Sequence, residues 1–333
     1  MNEIRKWTVG SIVVFGTTAL VVGCGTPPKR SANATANTTG QSTPSANVKN
    51  TTYPLTIKDE AGHTRTIPKQ PHHIASTTEG TDEILSALVP KKDVAMVTTY
   101  ATNPAYSNVI HWAKGITAIQ KANASQILAV HPDLVLAASY TKAGVVSQLT
   151  QAGVPVFEFT QFHSISGIEK NIKLTGKLVG AQPRAQRLVA KMNTDLAKIQ
   201  TAVKRKEKPT VLDYSSYGFA AGKGTTVNSI IVDAGGVNAA AKVKGWNKIT
   251  DEEIIKMNPQ VIITANSDKR FANKLLHDSK LQTVRAVKNH RVYAVSGASL
   301  SSVSQYIIKG VKDVAHVLHP SVSLPTITFT KNE

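Results

Sequence analysis

The fold of this chain is indicated by a pattern that occurs twice. Residues 123–136 are NASQILAVHPDLVL, and residues 250–263 are TDEEIIKMNPQVII. In each segment a helix-capping residue begins a short amphipathic stretch, a proline ends it, and an apolar run of strand length follows at once. A helix that leads directly into a buried strand is typical of α/β folds with parallel sheets. The two copies start 127 residues apart, and they therefore predict two similar α/β lobes.

The boundaries of these lobes follow from the patterns around the two copies. Alternating strand and helix patterns place an amino-terminal lobe at residues 53–164 and a carboxy-terminal lobe at residues 208–325. Residues 165–207 have helical periodicity, and their only predicted interruption is at Ala181-Gln182-Pro183, because proline disfavours helix at the residue before it. A single long rigid helix of some 60 Å would join the lobes. We therefore predict two parallel-sheet sandwich lobes with a ligand cleft between the carboxyl ends of their strands.

The first 23 residues have the features of a secretory signal. Arg5 and Lys6 precede sixteen uncharged residues that end at Gly23, and Cys24 is the only cysteine of the chain. A basic amino-terminal region, an apolar central region and a small residue before the cleavage site define such a signal. With a cysteine directly after the small residue, the segment resembles a bacterial lipobox, in which Cys24 is acylated and anchors the protein to the membrane. The alternative is an uncleaved anchor, because residues 7–24 are just long enough to span a thinned bilayer.

The next segment and the charge of the chain narrow the choice of partners. Residues 24–52 are rich in Ser, Thr and Asn and predict a disordered tether with a reach of roughly 30 Å. The net charge is +18, and residues 165–207 alone hold ten basic and three acidic residues. Outside the cell membrane, anionic lipid headgroups or an anionic ligand suit this charge better than nucleic acid, for which the sequence has no recognisable module. A solvated basic surface without a specific partner explains it equally well.

Short motifs between residues 53 and 320 resemble one known family. Each motif is weak alone, but their order and spacing are similar to those of the substrate-binding lipoproteins of bacterial ABC importers for ferric siderophores, haem and cobalamin. One departure is Leu281-Gln-Thr-Val, where the family often has a tryptophan. This departure weakens the assignment of the chain to a subfamily and does not affect the predicted fold. The matching motifs are Asp59–Gly62, Ile74–Ser76, Thr81–Leu85, Pro132-Asp133-Leu-Val, Gly222-Lys-Gly224, Ala234–Asn238, Asn258-Pro259 and Ala286–Tyr293.

The resemblance implies transport without catalysis. Such proteins bind a small solute and deliver it to an ABC permease that a separate ATPase drives, so we expect a monomer that is no enzyme and needs no cofactor. The expected cargo is a ferric siderophore complex, with cobalamin or haem as alternatives. In the family each lobe offers a carboxylate that pairs with permease arginines, and the matching residues here are Glu83 and Glu252. Asp251 and Glu253 could replace Glu252, and all of these could instead be solvated carboxylates at helix starts.

Candidate ligand-binding residues follow directly after the predicted strands. They are aromatic and basic, which suits an anionic chelate with flat rings. Because the chelator already fills the coordination sphere of the iron, we expect no metal ligand from the protein. The candidates are Tyr100, Tyr140, Lys142, Tyr217, Trp246, Lys269 and Arg270.

Other classes of function fit the sequence less well. A protein for bare metal ions needs several histidines and carboxylates that converge, but the ten histidines are scattered without HxH or HExxH spacing. Haem needs an axial ligand, which His163 or Tyr140 could supply. A hydrolase would need a nucleophile, but the sequence has no Gly-x-Ser-x-Gly elbow and its one cysteine lies in the lipobox. Residues 218–224 resemble a P-loop but are one residue short.

Overall fold

The computed structural model of the protein describes residues 50–332, apart from the side chain of Lys269. The predicted signal segment, Cys24 and the predicted tether up to residue 49 lie outside these residues. The elements before the second lobe are β1 (Leu55–Lys58), β2 (Thr64–Ile67), β3 (Ile74–Ser76), α1 (Glu79–Leu88), β4 (Val94–Thr98), α2 (Ile110–Ala113), β5 (Thr117–Ile119), α3 (Ala124–Leu128), β6 (Leu134–Ala138), α4 (Ala143–Gln151), β7 (Val156–Phe159), α5 (Ile165–Leu178) and α6 (Gln182–Val203).

The amino-terminal lobe is built on a five-stranded parallel sheet in the order β5-β4-β3-β6-β7. Every residue of β6 and β7 is buried, as expected for parallel strands that helices cover on both faces. The predicted cap of α3 is present, since the Asn123 side chain accepts a hydrogen bond from the backbone N–H of Gln126 at 3.1 Å. Strands β1 and β2 form the predicted antiparallel hairpin beside this sheet.

The carboxy-terminal lobe repeats the plan with a smaller sheet. Its elements are β8 (Thr210–Asp213), β9 (Phe219–Ala221), α7 (Thr226–Asp233), β10 (Val237–Asn238), β11 (Trp246–Lys248), α8 (Asp251–Met257), β12 (Val261–Ala265), α9 (Lys269–Leu276), α10 (Arg285–Lys288), β13 (Val292–Val295), α11 (Gly297–Leu300) and α12 (Ile307–Leu318). Four strands are parallel in the order β10-β8-β12-β13, and β9 and β11 form a separate antiparallel pair. A complete capping box between Thr250 and Glu253 begins α8.

The connection between the lobes corrects the prediction of one helix over residues 165–207. The chain forms two helices, because Gly180 turns it with a φ of +70° and Pro183 lies in the first turn of α6. α5 packs back against α6, and a Cβ added at Gly176 would lie 2.4 Å from the Cβ of Ala185. α6 carries the chain from the first lobe to the second, contacting α1 on one side and α7 and α12 on the other. Its 22 residues measure about 33 Å, which is half the expected length.

A hydrophobic core is shared by both lobes. One cluster of buried side chains includes Leu136 of β6, Met192 of α6, Val261 of β12 and Val311 of α12. The described residues 50–332 accordingly lie in one compact unit. Among the helices of residues 50–332, none combines the length and the apolar character that crossing a bilayer requires.

The carboxy-terminal segment returns to the amino-terminal lobe. The Asn332 side chain donates a hydrogen bond to the carbonyl of Ala87 at 2.6 Å, and the Trp112 indole donates to the carbonyl of Asn332 at 2.9 Å. Phe329 is 8% exposed and packs edge-on against Tyr306, with ring centroids 5.4 Å apart. The predicted end of the second lobe at residue 325 therefore leaves out a segment that fastens the two lobes together.

Truncating Phe329 tests this fastening. We expect Phe329→Ala to lower the free energy of unfolding by about 3–4 kcal/mol, because the deleted ring leaves a cavity in the shared core. The neighbouring Thr328 is exposed, so Thr328→Ala is expected to change the free energy of unfolding by less than about 0.5 kcal/mol. Urea denaturation of both variants measures the difference. Equal stabilities would show that the segment is not part of the core.

Candidate ligand-binding site

In each of the two parallel sheets, the direction in which successive strands are added reverses at one point. In the first sheet β3, β4 and β5 follow one another in one direction, whereas β6 and β7 lie on the other side of β3. In open parallel sheets, ligands bind in the crevice outside the carboxyl ends of the strands at such a reversal. A cavity of about 390 Å³ lies here. It is lined by residues that end or follow β3, β4, β5 and β6, namely Thr77, Thr78, Glu79, Thr98, Tyr100, Ile119, Gln120, Lys121, Ala122, Tyr140, Thr141 and Lys142.

The predicted site residues of the first lobe are brought together in this cavity. Tyr100 is 46% exposed and Tyr140 is 72% exposed, and both rings stand beside a second aromatic ring. Tyr100 meets Tyr106 edge-on at 5.3 Å between centroids, and Tyr140 meets Phe162 at 6.0 Å. Tyr106 was missed from the sequence because it lies in a loop without periodicity. Lys142 completes the set of three predicted residues on this wall.

The charge of the cavity is set by two lysines and one carboxyl group. Lys121, which the sequence analysis did not single out, lines the cavity together with Lys142. Burial raises the pKa of the Glu79 carboxyl well above its usual range, and the charges of Glu83 and Asp82 raise it further. Burial and the neighbouring carboxylates thus disfavour the ionised form of Glu79, and Lys121 and Lys142 are the cations of the cavity wall.

The wall of the cavity is held by buried hydrogen bonds. Asp82 is fully buried and accepts hydrogen bonds from the backbone N–H of Thr98 at 3.0 Å and from its hydroxyl at 2.6 Å. The side chain of Thr78 caps α1 by accepting from the backbone N–H of Thr81 at 3.2 Å. These bonds fix the ends of β3 and β4 relative to α1. The ligand-facing loops therefore rest on a rigid base.

The second lobe places its predicted residues at the corresponding reversal. β10 lies on one side of β8 while β12 and β13 lie on the other, so the strand order turns between β8 and β12. Tyr217 follows β8 and is 82% exposed, Trp246 begins β11 and is 51% exposed, and Arg270 is exposed in the first turn of α9. Lys269 begins the same helix. Tyr217, Trp246 and Arg270 do not line the cavity of the first lobe.

One buried acid of the second lobe was also missed. Asp213 ends β8, the strand that precedes Tyr217, and burial raises the pKa of its carboxyl to about 7. Its sequence context, TVLD, predicts only the end of a strand. The second lobe therefore carries a buried titratable group at the end of the strand that precedes Tyr217.

Glu83 is not available for permease docking, which corrects the prediction. Its side chain is 0% exposed, because α1 is covered by the second lobe. One carboxylate oxygen accepts hydrogen bonds from the backbone N–H of Asn108 at 2.8 Å and from its side-chain amide at 2.9 Å. The other oxygen accepts from the hydroxyl of Ser302 at 2.9 Å and from that of Ser304. Burial raises the pKa of this carboxyl, while these donors act to lower it.

Glu252 remains suited to docking. It is exposed in the first turn of α8, and hydrogen bonds from its own backbone N–H and from the Thr250 hydroxyl lower the pKa of its carboxyl. Its neighbours have fixed partners, since Asp251 pairs with Lys280 at 3.2 Å and Glu253 completes the capping box. The repeated pattern places Ser125 at the position in α3 that corresponds to Glu252. The first lobe therefore has no carboxylate at the corresponding helix start.

A group of potential metal ligands lies elsewhere in the first lobe. Ligand atoms of Asp59, His63 and Glu158 lie within 4.8 Å of one another. The Arg65 guanidinium lies against the same carboxylates, with its Nε 3.1 Å from Asp59 and a terminal nitrogen 3.6 Å from Glu158. This guanidinium already supplies the positive charge that a cation would bring, so the group is a buried ion-pair network.

Comparison with known proteins identifies relatives along most of the chain. A model of the periplasmic binding protein family matches residues 74–297. The ABC transporter substrate-binding lipoprotein YvrC of Bacillus subtilis is 30% identical over 315 residues, which cover 90% of this chain and 93% of the relative. A cobalamin-binding protein of Halobacterium salinarum is 25% identical over 279 residues, which cover 80% of this chain and 74% of the relative.

Solved structures match the fold as well. A possible iron-binding periplasmic solute-binding protein of Staphylococcus epidermidis superposes with a TM-score of 0.66 at 27% identity, covering 75% of this chain and 100% of the other. The haem-binding protein RhuT of Roseiflexus has a TM-score of 0.67 at 23% identity, covering 75% and 98%. The predicted two-lobed α/β fold and the predicted family resemblance are thus confirmed.

Removing the Glu83 carboxylate tests its role between the lobes. We expect Glu83→Ala to lower the free energy of unfolding by about 3–5 kcal/mol, because it leaves buried amide and hydroxyl donors without an acceptor. Glu83→Gln keeps one acceptor oxygen, so we expect it to lower the free energy of unfolding by less than Glu83→Ala does. Glu252→Ala is the exposed control, with an expected change below about 1 kcal/mol. Thermal and urea unfolding measure all three, and a Glu83→Ala variant as stable as the parent protein contradicts the assignment.

Proposed function

This chain belongs to the periplasmic binding protein family, and we propose that it captures an anionic ferric siderophore complex at the outer face of the cell membrane. Its relatives are substrate-binding proteins of ABC transporters, which bind small solutes and work with a permease and an ATPase. Members of the family are transport proteins and not enzymes. The chain is accordingly a binding protein that hands over its solute unaltered.

The observation that carries the choice of ligand is the charged aromatic cavity of the first lobe. It combines exposed faces of Tyr100 and Tyr140 with the ammonium groups of Lys121 and Lys142. Aromatic faces stack on flat ligand rings, and ammonium groups attract the negative charge of a ferric catecholate-type chelate. Burial disfavours the charged form of the Glu79 carboxyl, so this group opposes an anionic ligand less than an ordinary carboxylate would.

The second lobe supplies the opposing surface in this proposal. Exposed aromatic side chains leave water and gain stacking contacts when a flat ligand ring covers them. Tyr217 and Trp246 are of this kind, Arg270 is an exposed cation in the first turn of α9, and the candidate Lys269 begins the same helix. The chelator fills the coordination sphere of the iron, so the proposal assigns no metal ligand and no cofactor to the protein.

Cobalamin is the second candidate because a named relative binds it. The Halobacterium protein is a cobalamin-binding protein and aligns with 80% of this chain. A corrin ring would use the same exposed aromatic faces but would gain little from the two lysines. Haem is a third candidate, for which Tyr140 or the exposed His163 would be the axial ligand.

Anchoring completes the proposal. We infer that acylation of Cys24 and the tether of residues 24–52 hold the binding unit, as a monomer, at the outer face of the cell membrane. A relative that aligns with 90% of this chain is named a lipoprotein, which supports this inference. Glu252 is the proposed contact for arginines of the permease.

A titration panel tests the ligand. We expect quenching of Trp246 fluorescence by a ferric catecholate, and Lys121→Ala/Lys142→Ala should weaken that affinity at least tenfold, because two cations facing an anionic ligand are lost. Lys198→Ala, on the exposed face of α6, is the control and should leave the affinity unchanged. The same panel includes a neutral ferric hydroxamate, haem and cobalamin. Tight cobalamin binding that the lysine variant does not affect would replace the first candidate by the second.

An uptake assay tests the docking role of Glu252. We expect Glu252→Arg to abolish ligand uptake by cells while the affinity of the purified protein is unchanged, because the reversed charge repels a permease arginine. Glu207→Arg makes the same charge change at an exposed residue that precedes β8, and it should support normal uptake. Normal uptake by the Glu252→Arg variant would refute the docking role.

A further inference from the structure

The helical hairpin of α5 and α6 carries a row of exposed cations. Lys170, Lys173 and Lys177 are spaced three and four residues apart, so they lie on one face of α5, and all three are exposed. Within residues 50–332 none of the three has a carboxylate oxygen within 4.0 Å, whereas Lys191 of α6 pairs with Asp195 at 2.6 Å. The three cations therefore form no ion pair within the part of the chain that the structure describes.

A second group of cations surrounds the point where the chain enters the fold. A cavity of about 520 Å³ is lined by Asn50, the first residue that the structure describes, together with Lys92, Arg184 and Arg187. The carboxylate in its lining, Asp93, is mostly buried and lies 3.3 Å from the His72 ring. The two arginines are exposed. One terminal nitrogen of Arg184 donates a hydrogen bond to the carbonyl of Leu88 at 3.1 Å, and the remaining donors of the two guanidinium groups suit phosphate oxygens.

The two groups meet at Thr51. Its hydroxyl donates a hydrogen bond to the carbonyl of Lys177 at 2.8 Å, and its backbone N–H donates to the side-chain oxygen of Gln182 at 3.1 Å. Thr51 was placed in the tether by the sequence pattern, but these bonds fix it to the turn between α5 and α6. The segment that leads back to Cys24 thus leaves the folded unit among the exposed cations.

This surface lies away from the ligand site. α1 ends at Leu88 before β4 begins, and Gln70 and Pro71 precede β3, so the residues around this cavity are at the amino ends of the strands. The ligand cavity is at the carboxyl ends of the same strands. Both surfaces can therefore be occupied at the same time.

We propose that this basic pole, formed by Lys92, Lys170, Lys173, Lys177, Arg184 and Arg187, is a docking surface for anionic phospholipid headgroups. The proposal rests on the membrane anchoring inferred above, because a tether that ends within the pole keeps these cations close to the lipid surface. The anchor supplies the proximity, and the cations set which side of the binding unit faces the bilayer. Each basic residue near an anionic membrane surface strengthens binding by about fivefold.

Vesicle sedimentation tests the proposal on residues 25–333, which lack the acylation site but retain the whole compact unit that holds residues 50–332. We expect binding to vesicles of phosphatidylglycerol and phosphatidylcholine, weakening with added salt, and none to phosphatidylcholine alone. Lys170→Gln/Lys173→Gln/Lys177→Gln should reduce the partition coefficient roughly 100-fold. Lys242→Gln/Lys274→Gln/Lys288→Gln removes the same charge from exposed lysines of the second lobe and should retain most of the binding.

The outcomes separate this proposal from the proposed function. Equal losses in the two triple variants would show attraction by net charge alone and overturn the pole as a docking surface. Binding that glycerol phosphate at millimolar concentration abolishes would indicate a site for a free phosphate compound instead of a membrane. Ligand affinity, measured on the same samples, should be unchanged in both variants, and far-ultraviolet circular dichroism checks their fold. If Cys24 proves not to be acylated in cells, the proposed anchoring is wrong. The vesicle measurement still shows whether the basic pole binds anionic phospholipid.

Discussion

The arrangement of the two lobes depends on a carboxylate that is buried between them. Glu83 of α1 accepts hydrogen bonds from Asn108 in the first lobe and from Ser302 and Ser304 in the second. Its own carbonyl accepts from the side-chain amide of Gln305 at 2.7 Å. One buried acid thus has partners on both sides of the boundary, and each bond is lost if the lobes separate. Such a network specifies one geometry because every unpaired member would be costly.

The sequence around Glu83 is adapted to this close contact. A Cβ added at Gly80 would lie 2.5 Å from a methyl group of Val303, so only glycine allows the first turn of α1 to approach the second lobe. Burial raises the pKa of the carboxyl groups of Glu79, Asp82 and Glu83. The folded state therefore binds protons more tightly than the unfolded chain. The stability contributed by these groups is complete below the pKa of an unfolded carboxyl, about 4, and declines as the pH rises through the folded values.

The success and the failure of the sequence analysis have the same physical origin. The repeated helix–proline–strand pattern encodes local structure, so the two sheets and the residues after their strands could be predicted, and Tyr100, Tyr140 and Lys142 share one cavity. Glu83 could not be located in this way, because a glutamate near a helix start is usually solvated, and only the tertiary contact with residues 302–304 buries it. The same holds for the connector. Pro183 marked the break in the helix, but the close contact of Gly176 with Ala185, which turns the break into a hairpin, involves packing between separate helices.

The two lobes contribute unequally to the proposed ligand site, and their difference indicates an order of events. The first lobe has a formed cavity on a rigid base, with Asp82 bonded to Thr98 and α1 capped by Thr78. The second lobe presents Tyr217 and Trp246 with more than half of each side chain in water. A preformed surface loses little conformational entropy when it binds a ligand. Exposed rings contribute the most binding free energy when a ligand covers them, because they bury the most apolar area. A solute should therefore settle on the first lobe and then be covered by the second. Because Glu83 and the returning segment at Phe329 hold the lobes together, this covering requires only small movements of loops and side chains.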